Sequence, residues 1–197
     1  EYNTDESYLM CAIQSIVEQT YYDFEFLIVI DGPNLNAKRV IESFGDNRIK
    51  TIQNIRNKGL VYSLNRALSE AKGDYIVRMD TDDISMPNRI ERLVNFLDSN
   101  PQYDVVGSRA IEFSNAGDKG VLGIEGEITA KEIMSGNQPI HPSVIMRKDA
   151  VLGVDGYPDF KRAEDLALWC ELIVAGSKIY VLGDILLKYR VNTDDYN

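Results

Sequence analysis

The stretch that decides the fold is Ala71-Lys72-Gly73-Asp74-Tyr75-Ile76-Val77-Arg78-Met79-Asp80-Thr81-Asp82-Asp83. Residues 75–79 read as a short buried strand, and the chain then delivers three carboxylates within four residues. Packing gives no reason for so much negative charge at a strand end, because unpaired carboxylates that close repel and raise one another's pKa. A divalent cation removes the conflict. Mg²⁺ and Mn²⁺ take hard oxygen ligands and are commonly shared between one or two carboxylates and substrate phosphates. An Asp-x-Asp at the carboxyl end of a parallel strand therefore reads as a seat for a metal and a diphosphate, with Asp80 and Asp82 as the protein's share of it.

Three other readings fit the same residues less well. A calcium loop starting at Asp80 places Glu91 correctly at its twelfth position, but Ile84 and Ser85 stand where an oxygen ligand and a glycine are needed. A metal-dependent phosphohydrolase would use Asp80 as a nucleophile that forms an aspartyl-phosphate. A solvated acidic turn would use Asp83 or Ser85 to cap a helix beginning near Pro87. Taken alone, the motif does not choose among the metal seat, the phosphatase and the turn.

Upstream, Leu9, Met10, Ile13, Ile16 and Val17 form a helical stripe in residues 7–20. Residues 24–30 are near-continuously apolar, as in a strand covered on both faces, and stop at the turn Asp31-Gly32-Pro33-Asn34. A short helix over 37–44, a strand over 49–53 and a helix over 60–71, ended by Gly73, lead to the 75–79 strand. This βαβαβ order predicts a parallel sheet with right-handed crossovers and ligands beyond its carboxyl edge. Asp31 and Asp80 each fall just past a strand end, so both are expected at one lip.

Downstream, Ile90, Leu93, Val94 and Leu97 mark the buried face of a helix over 87–99. A strand over 104–113, a loop or hairpin over 115–126, a helix over 129–134 and a strand over 144–147 follow. A turn-rich loop over 153–159, a helix over 163–175 and a last strand over 178–182 complete the order. The second half does not alternate strictly, which predicts a mixed sheet edge.

The 197 residues are 44% apolar and 26% charged, which suits one soluble α/β domain. A formal net charge of −10 argues against a nucleic-acid partner, which would require a basic face. It also strengthens the need for a metal wherever a phosphorylated ligand binds. Cys11 and Cys170 form no CxxC and are read as buried free thiols of a reducing compartment. No apolar run reaches membrane-span length, while docking at a membrane surface is compatible with the sequence.

Glu164-Asp165 opens the last long helix. Acids in a first turn serve the helix dipole and the orphan backbone N–H groups, and a general base for an incoming hydroxyl is the functional alternative if that helix start faces Asp80. His141, the single histidine, reads as a turn residue satisfied by backbone, and Trp169 as core packing. Asn57-Lys58-Gly59 reads as a capping turn, and Tyr2 as a terminal residue or a stacking surface for a base.

Many of these segments, in order and spacing, resemble family 2 glycosyltransferases with the GT-A fold. The resemblance runs through Tyr2-Asn3, Ser15 to Thr20, Asp31-Gly32, Asn57-x-Gly59, Asn65, Ala71-x-Gly73 and Arg78 to Asp83. It continues through Val105-Val106-Gly107, His141-Pro142-Ser143, Gly156-Tyr157, Ala163-Glu164-Asp165-x-x-Leu168-Trp169 and Tyr189-Arg190, and so spans nearly the whole chain. It implies a three-layer α/β/α domain with a mostly parallel sheet, mixed at the edge. About residues 1–107 would form a Rossmann-like nucleotide-sugar half, and about 108–197 the acceptor side. It also implies an inverting transferase that moves a sugar from a UDP-sugar with Mn²⁺ or Mg²⁺. The acceptor would be a glycan or lipid-linked saccharide in surface polysaccharide or lipopolysaccharide assembly, in the cytoplasm or at the inner face of the membrane. Carried over, Tyr2 and Asp31 would hold uracil and ribose, with Asn57 beside the donor. Asp80 and Asp82 would form the metal and donor site, Asp82 as the direct ligand, and Asp165 would be the catalytic base. A non-catalytic nucleotide- or glycan-binding module is the alternative from another class. The sequence departs from the family at three places. The family's first strand precedes the Tyr-Asn pair, so the sheet is expected to lack it. Ile30 and Pro33 flank Asp31-Gly32 where Asp and Ser are common, and Asn192 stands where a metal-binding His often follows Tyr-Arg.

Overall fold

A computed structural model describes residues 5–191, so Tyr2 and Asn192 lie outside the described residues. Asp5 accepts the Ser7 N–H at 2.7 Å and caps α1 (Glu6–Val17), which buries Leu9, Ala12, Ile13 and Ile16. Met10, expected in that stripe, is 50% exposed. Both cysteines are exposed too, against the expectation of buried thiols. Each lies two residues, or about 160° around its helix, from a fully buried side chain, Ile13 for Cys11 and Leu172 for Cys170.

β1 (Phe26–Ile30) and β2 (Ile49–Gln53) pair in parallel, with Phe26 opposite Ile49, across the crossover helix α2 (Leu35–Ser43). α3 (Leu60–Glu70) then leads into β3 (Tyr75–Val77), so the expected βαβαβ order is present. β3 ends two residues before the expected Met79. Next come β4 (Ile84–Ser85), α4 (Arg89–Ser99), the long β5 (Val105–Ser114) and its hairpin partner β6 (Gly117–Leu122). β7 (Gly126–Ile128), α5 (Ala130–Met134), a 3-10 turn at His141–Ser143 and β8 (Ile145–Arg147) follow. α6 (Lys148–Gly153), α7 (Glu164–Val174) and β9 (Ile179–Arg190) complete the described chain.

Among the described residues β1 and β2 form a sheet of their own, while a seven-stranded sheet runs β3-β8-β5-β9-β4, with β6 on β5 and β7 on β9. The antiparallel pairing expected at the edge runs deep into this mixed sheet. β8 returns between β3 and β5, antiparallel to both, while β5 and β9 are parallel.

Alternation along the central strands builds the layers. Val105, Met146, Ile179 and Val181 face Leu168, Trp169 and Leu172 of α7. Their neighbours Val106, Ile145 and Leu182 face Ile90, Leu93, Val94 and Leu97 of α4, as that helix's spacing predicts. A third cluster packs α1 and α2 against Ile30 of β1. The division expected near residue 107 falls inside β5.

β9 is longer than the 178–182 strand that local chemistry suggests. Gly183-Asp184 has the composition of a turn, yet pairing with β5 carries the strand through it, and register shifts at Ser108 to Ala110 absorb the irregularity. This extension brings Tyr189 and Arg190 to the acidic loop.

Candidate active site

The loop after β3 is held from behind by buried cations. Arg78 is only 6% exposed and pairs through Nη1 with the Asp80 carboxylate. Its carbonyl accepts from Nη2 of the fully buried Arg89 at 2.7 Å. Burial lowers Arg89 to about 10, against the opposing pull of Asp83.

The three acids of the motif have three environments. Asp80 is half-buried and ion-paired. Asp83 is buried and its Oδ1 accepts the Arg190 N–H at 2.8 Å. Burial pushes that carboxyl up to about 7, against the pull of the Arg190 N–H. Asp82 is half-buried, and its carbonyl accepts from Arg190 Nε at 2.8 Å. The Arg190 guanidinium in turn lies 3.8 Å from the Tyr8 ring centroid and 4.4 Å from that of Phe113.

The capping role considered for Asp83 and Ser85 is not what the structure adopts. Gln19, reaching from α1, accepts the Ile90 N–H of the first turn of α4 at 3.0 Å and donates to Ser85 Oγ and the Met86 carbonyl. Asp83 is thereby left to β9.

Asp31, just past β1, receives Lys58 N–H and Asn54 Nδ2 on Oδ1 and Gly59 N–H on Oδ2, at 2.7–2.8 Å. Burial resists ionisation there, but these donors outweigh it and hold the carboxyl below the usual range. Gly59 is the N-cap of α3, at φ +91°, and has no side-chain cap of its own. Asp31 thus organises the 54–59 loop and the entry to α3. Asn57 is exposed on that loop.

Asp165 sits in the first turn of α7, half-buried, and accepts the Leu166 N–H at 2.8 Å. One turn further along α7, Trp169 belongs to a buried aromatic group. The Tyr157 hydroxyl is 3.0 Å from His141 Nε2, and the Trp169 ring stands edge-on to His141 with centroids 6.0 Å apart. His141 is therefore partnered by a side-chain hydroxyl, not by backbone as the turn reading expects, because its ring points inward at 7% exposure. Trp169 is fully buried packing, as expected. Burial pushes the Tyr157 phenol far up. Arg78 opposes the rise, and Asp165, Asp80 and Glu164 reinforce it.

Burial, with Arg78 adding, also depresses His141 well below 6.5. The folded protein then refuses a proton that the unfolded chain accepts below about pH 6.5, so this group's share of stability is present above that pH and declines as pH falls. We expect the C–H resonances of the single imidazole not to titrate between about pH 7.5 and 5.5. Urea midpoints should fall through this range with a contribution of up to about 1.4 kcal/mol per pH unit, which His141→Phe removes. A resonance titrating near 6.5 would contradict the buried neutral state.

The sequence alone assigns no role to Arg78, Tyr157 or Arg190. The signal for Arg78 is a charge within the otherwise apolar Tyr75-Ile76-Val77-Arg78-Met79, which burial alone would penalise. Among the described residues no three His, Cys, Asp or Glu side chains gather as a complete metal cage. Asp80 and Asp82 still suit a hard cation that completes its shell with phosphate oxygens and water.

Residues 2–149 match the family model for Glycosyl transferase family 2. The chain is 35% identical to the putative glycosyltransferase EpsE of Bacillus subtilis, over 99% of this chain and 72% of that protein. It is 30% identical to the UDP-Gal:alpha-D-GlcNAc-diphosphoundecaprenol beta-1,3-galactosyltransferase of Escherichia coli, over 95% of this chain and 70% of that protein. The crystal structure of S. aureus TarS 1-349 in complex with UDP-GlcNAc superposes with a TM-score of 0.80 at 22% identity. That match covers 95% of this chain but only 56% of the TarS chain, and it establishes the GT-A type of α/β fold with its central mixed sheet.

Proposed function

This chain belongs to glycosyl transferase family 2, and from that premise we propose that it moves a sugar, with inversion, from a UDP-sugar to an acceptor hydroxyl. The acceptor is a glycan or a lipid-linked saccharide of polysaccharide assembly, and the work is done in the cytoplasm, at the inner face of the membrane. Support for the donor and acceptor comes from relatives: TarS is described with UDP-GlcNAc, and the Escherichia coli galactosyltransferase is named for UDP-Gal and a diphosphoundecaprenol-linked sugar. No helix among the described residues is long and apolar enough to cross a membrane.

The observation that carries the reading is the acidic loop after β3, where Arg78 pairs with the Asp80 carboxylate and Arg190 holds Asp82 by its carbonyl and Asp83 by its carboxylate. In the proposed reaction the donor lies along the edge between this loop and Asp165. Asp31 and Tyr2 hold uridine, with Asn57 beside them. Asp80 and Asp82 hold Mn²⁺ or Mg²⁺, which when bound supplies Lewis-acid stabilisation of the departing diphosphate. Asp165 accepts the acceptor hydroxyl's proton as that oxygen bonds to the anomeric carbon. The bond from that carbon to the diphosphate oxygen breaks on the opposite face, which inverts the configuration. Residues up to about 107 serve the donor and those beyond it the acceptor.

Calorimetric titration of UDP tests the donor end. Binding is expected with Mn²⁺ and is expected to vanish with EDTA. Binding that ignores the chelator would remove Asp80 and Asp82 from the metal role.

A further inference from the structure

We propose that Asn65 is a positioning residue that holds the segment leading to Asp165 in register with the donor-binding edge, an inference that rests on the transferase reading. Its amide addresses both backbone groups of one distant residue. Nδ2 donates to the Tyr157 carbonyl and Oδ1 accepts the Tyr157 N–H, each at 2.8 Å. A side chain here does what a neighbouring strand would do, across 92 residues of sequence.

The partner surface is shaped for this contact. Gly156 has φ +80°, and a Cβ there would lie 2.5 Å from Asn65 Oδ1 and 3.3 Å from Leu68 Cδ2. Glycine is required on both counts, conformation and space.

What the clamp joins gives it a role. α3, which carries Asn65, is entered at Gly59, whose N–H is held by Asp31, and one turn later Ser63 Oγ accepts from the same Asn54 that binds Asp31. On the other side, the Tyr157 side chain reaches His141, which packs against Trp169 of α7. Asn65 therefore links the helix organised by Asp31 to the aromatic group that includes Trp169 of α7, the helix whose first turn carries Asp165. Displacing a catalytic group by about 1 Å can cost about a hundredfold in rate without weakening substrate binding.

The test compares the parent with Asn65→Ala and with Asn65→Asp, which keeps the acceptor for Tyr157 N–H and loses the donor to its carbonyl. For Asn65→Ala, kcat should fall about ten- to a hundredfold, with donor KM and UDP affinity in Mn²⁺ held within about twofold. Emission from Trp169, the one tryptophan of the chain, should shift to the red, and Asn65→Asp, which sets a carboxylate oxygen against the Tyr157 carbonyl, should lose at least as much rate. A kcat within about twofold of the parent, or UDP affinity lost in step with kcat, would overturn the positioning role. If Asn65→Ala does not fold, Asn65→Asp decides by the same criteria. A parent that transfers no sugar from any UDP-sugar overturns the transferase reading and the catalytic part of this role. Trp169 emission then still reads the clamp, and emission unchanged in both variants would overturn it as well.

Discussion

Asp165→Asn is expected to lower sugar transfer by about 10²–10⁴-fold while UDP and Mn²⁺ bind as they do to the parent. The substitution is close to isosteric. The asparagine Oδ1 can still accept the Leu166 N–H that the aspartate accepts at 2.8 Å, so the first turn of α7 should keep its path. What is lost is the acceptor for the incoming hydroxyl's proton. Glu164, half-buried beside it, is the control: Glu164→Gln should leave most of the rate intact. Steady-state transfer with a radiolabelled UDP-sugar, run alongside UDP calorimetry, separates the outcomes. A large loss in Glu164→Gln with little in Asp165→Asn would move the base by one residue. Loss of UDP binding in Asp165→Asn would place Asp165 at the donor and leave the base to be sought elsewhere.

Asp82→Ala is expected to abolish the EDTA-sensitive part of UDP binding. Changes in residues that merely support metal ligands already cost about 10–100-fold in metal affinity, so removal of a ligand should cost at least that. Asp82 is the choice because the family resemblance makes it the direct metal ligand. Asp80 is paired with Arg78, and Asp83 is buried against the Arg190 N–H. The loop should survive the change, because Arg190 holds residue 82 through its carbonyl. Unaltered chelator-sensitive binding in Asp82→Ala would transfer the metal role to Asp80. Phosphate release from a phosphomonoester, lost in Asp80→Asn and retained in Asp82→Ala, would instead favour the hydrolase reading of the same motif.

Much of the architecture was legible because it follows from short-range pattern. The apolar spacing of Ile90, Leu93, Val94 and Leu97 marks the buried face of α4, and all four are buried. The same method misplaced Met10, Cys11 and Cys170, since an apolar stretch of helix does not by itself say where the buried face ends. It also cut β9 short, because turn composition at Gly183-Asp184 reports a local preference that hydrogen bonding to β5 overrides. For the candidate site, the carboxylate cluster after β3 and the acids opening α7 could be read as unusual, but their environments could not.

By itself, then, the sequence determined the βαβαβ order of the first half, the buried face of α4, the family, and the concentration of carboxylates after β3. All of these are set within a few residues of one another or by motifs in series. Only the tertiary structure decided that Asp80 is paired, that Asp83 is enclosed, and that the Tyr157 hydroxyl meets His141. The reason is distance along the chain. Asp83 meets Arg190 across 107 residues and Asn65 meets Tyr157 across 92, and burial and charge pairing are properties of those encounters rather than of any single stretch.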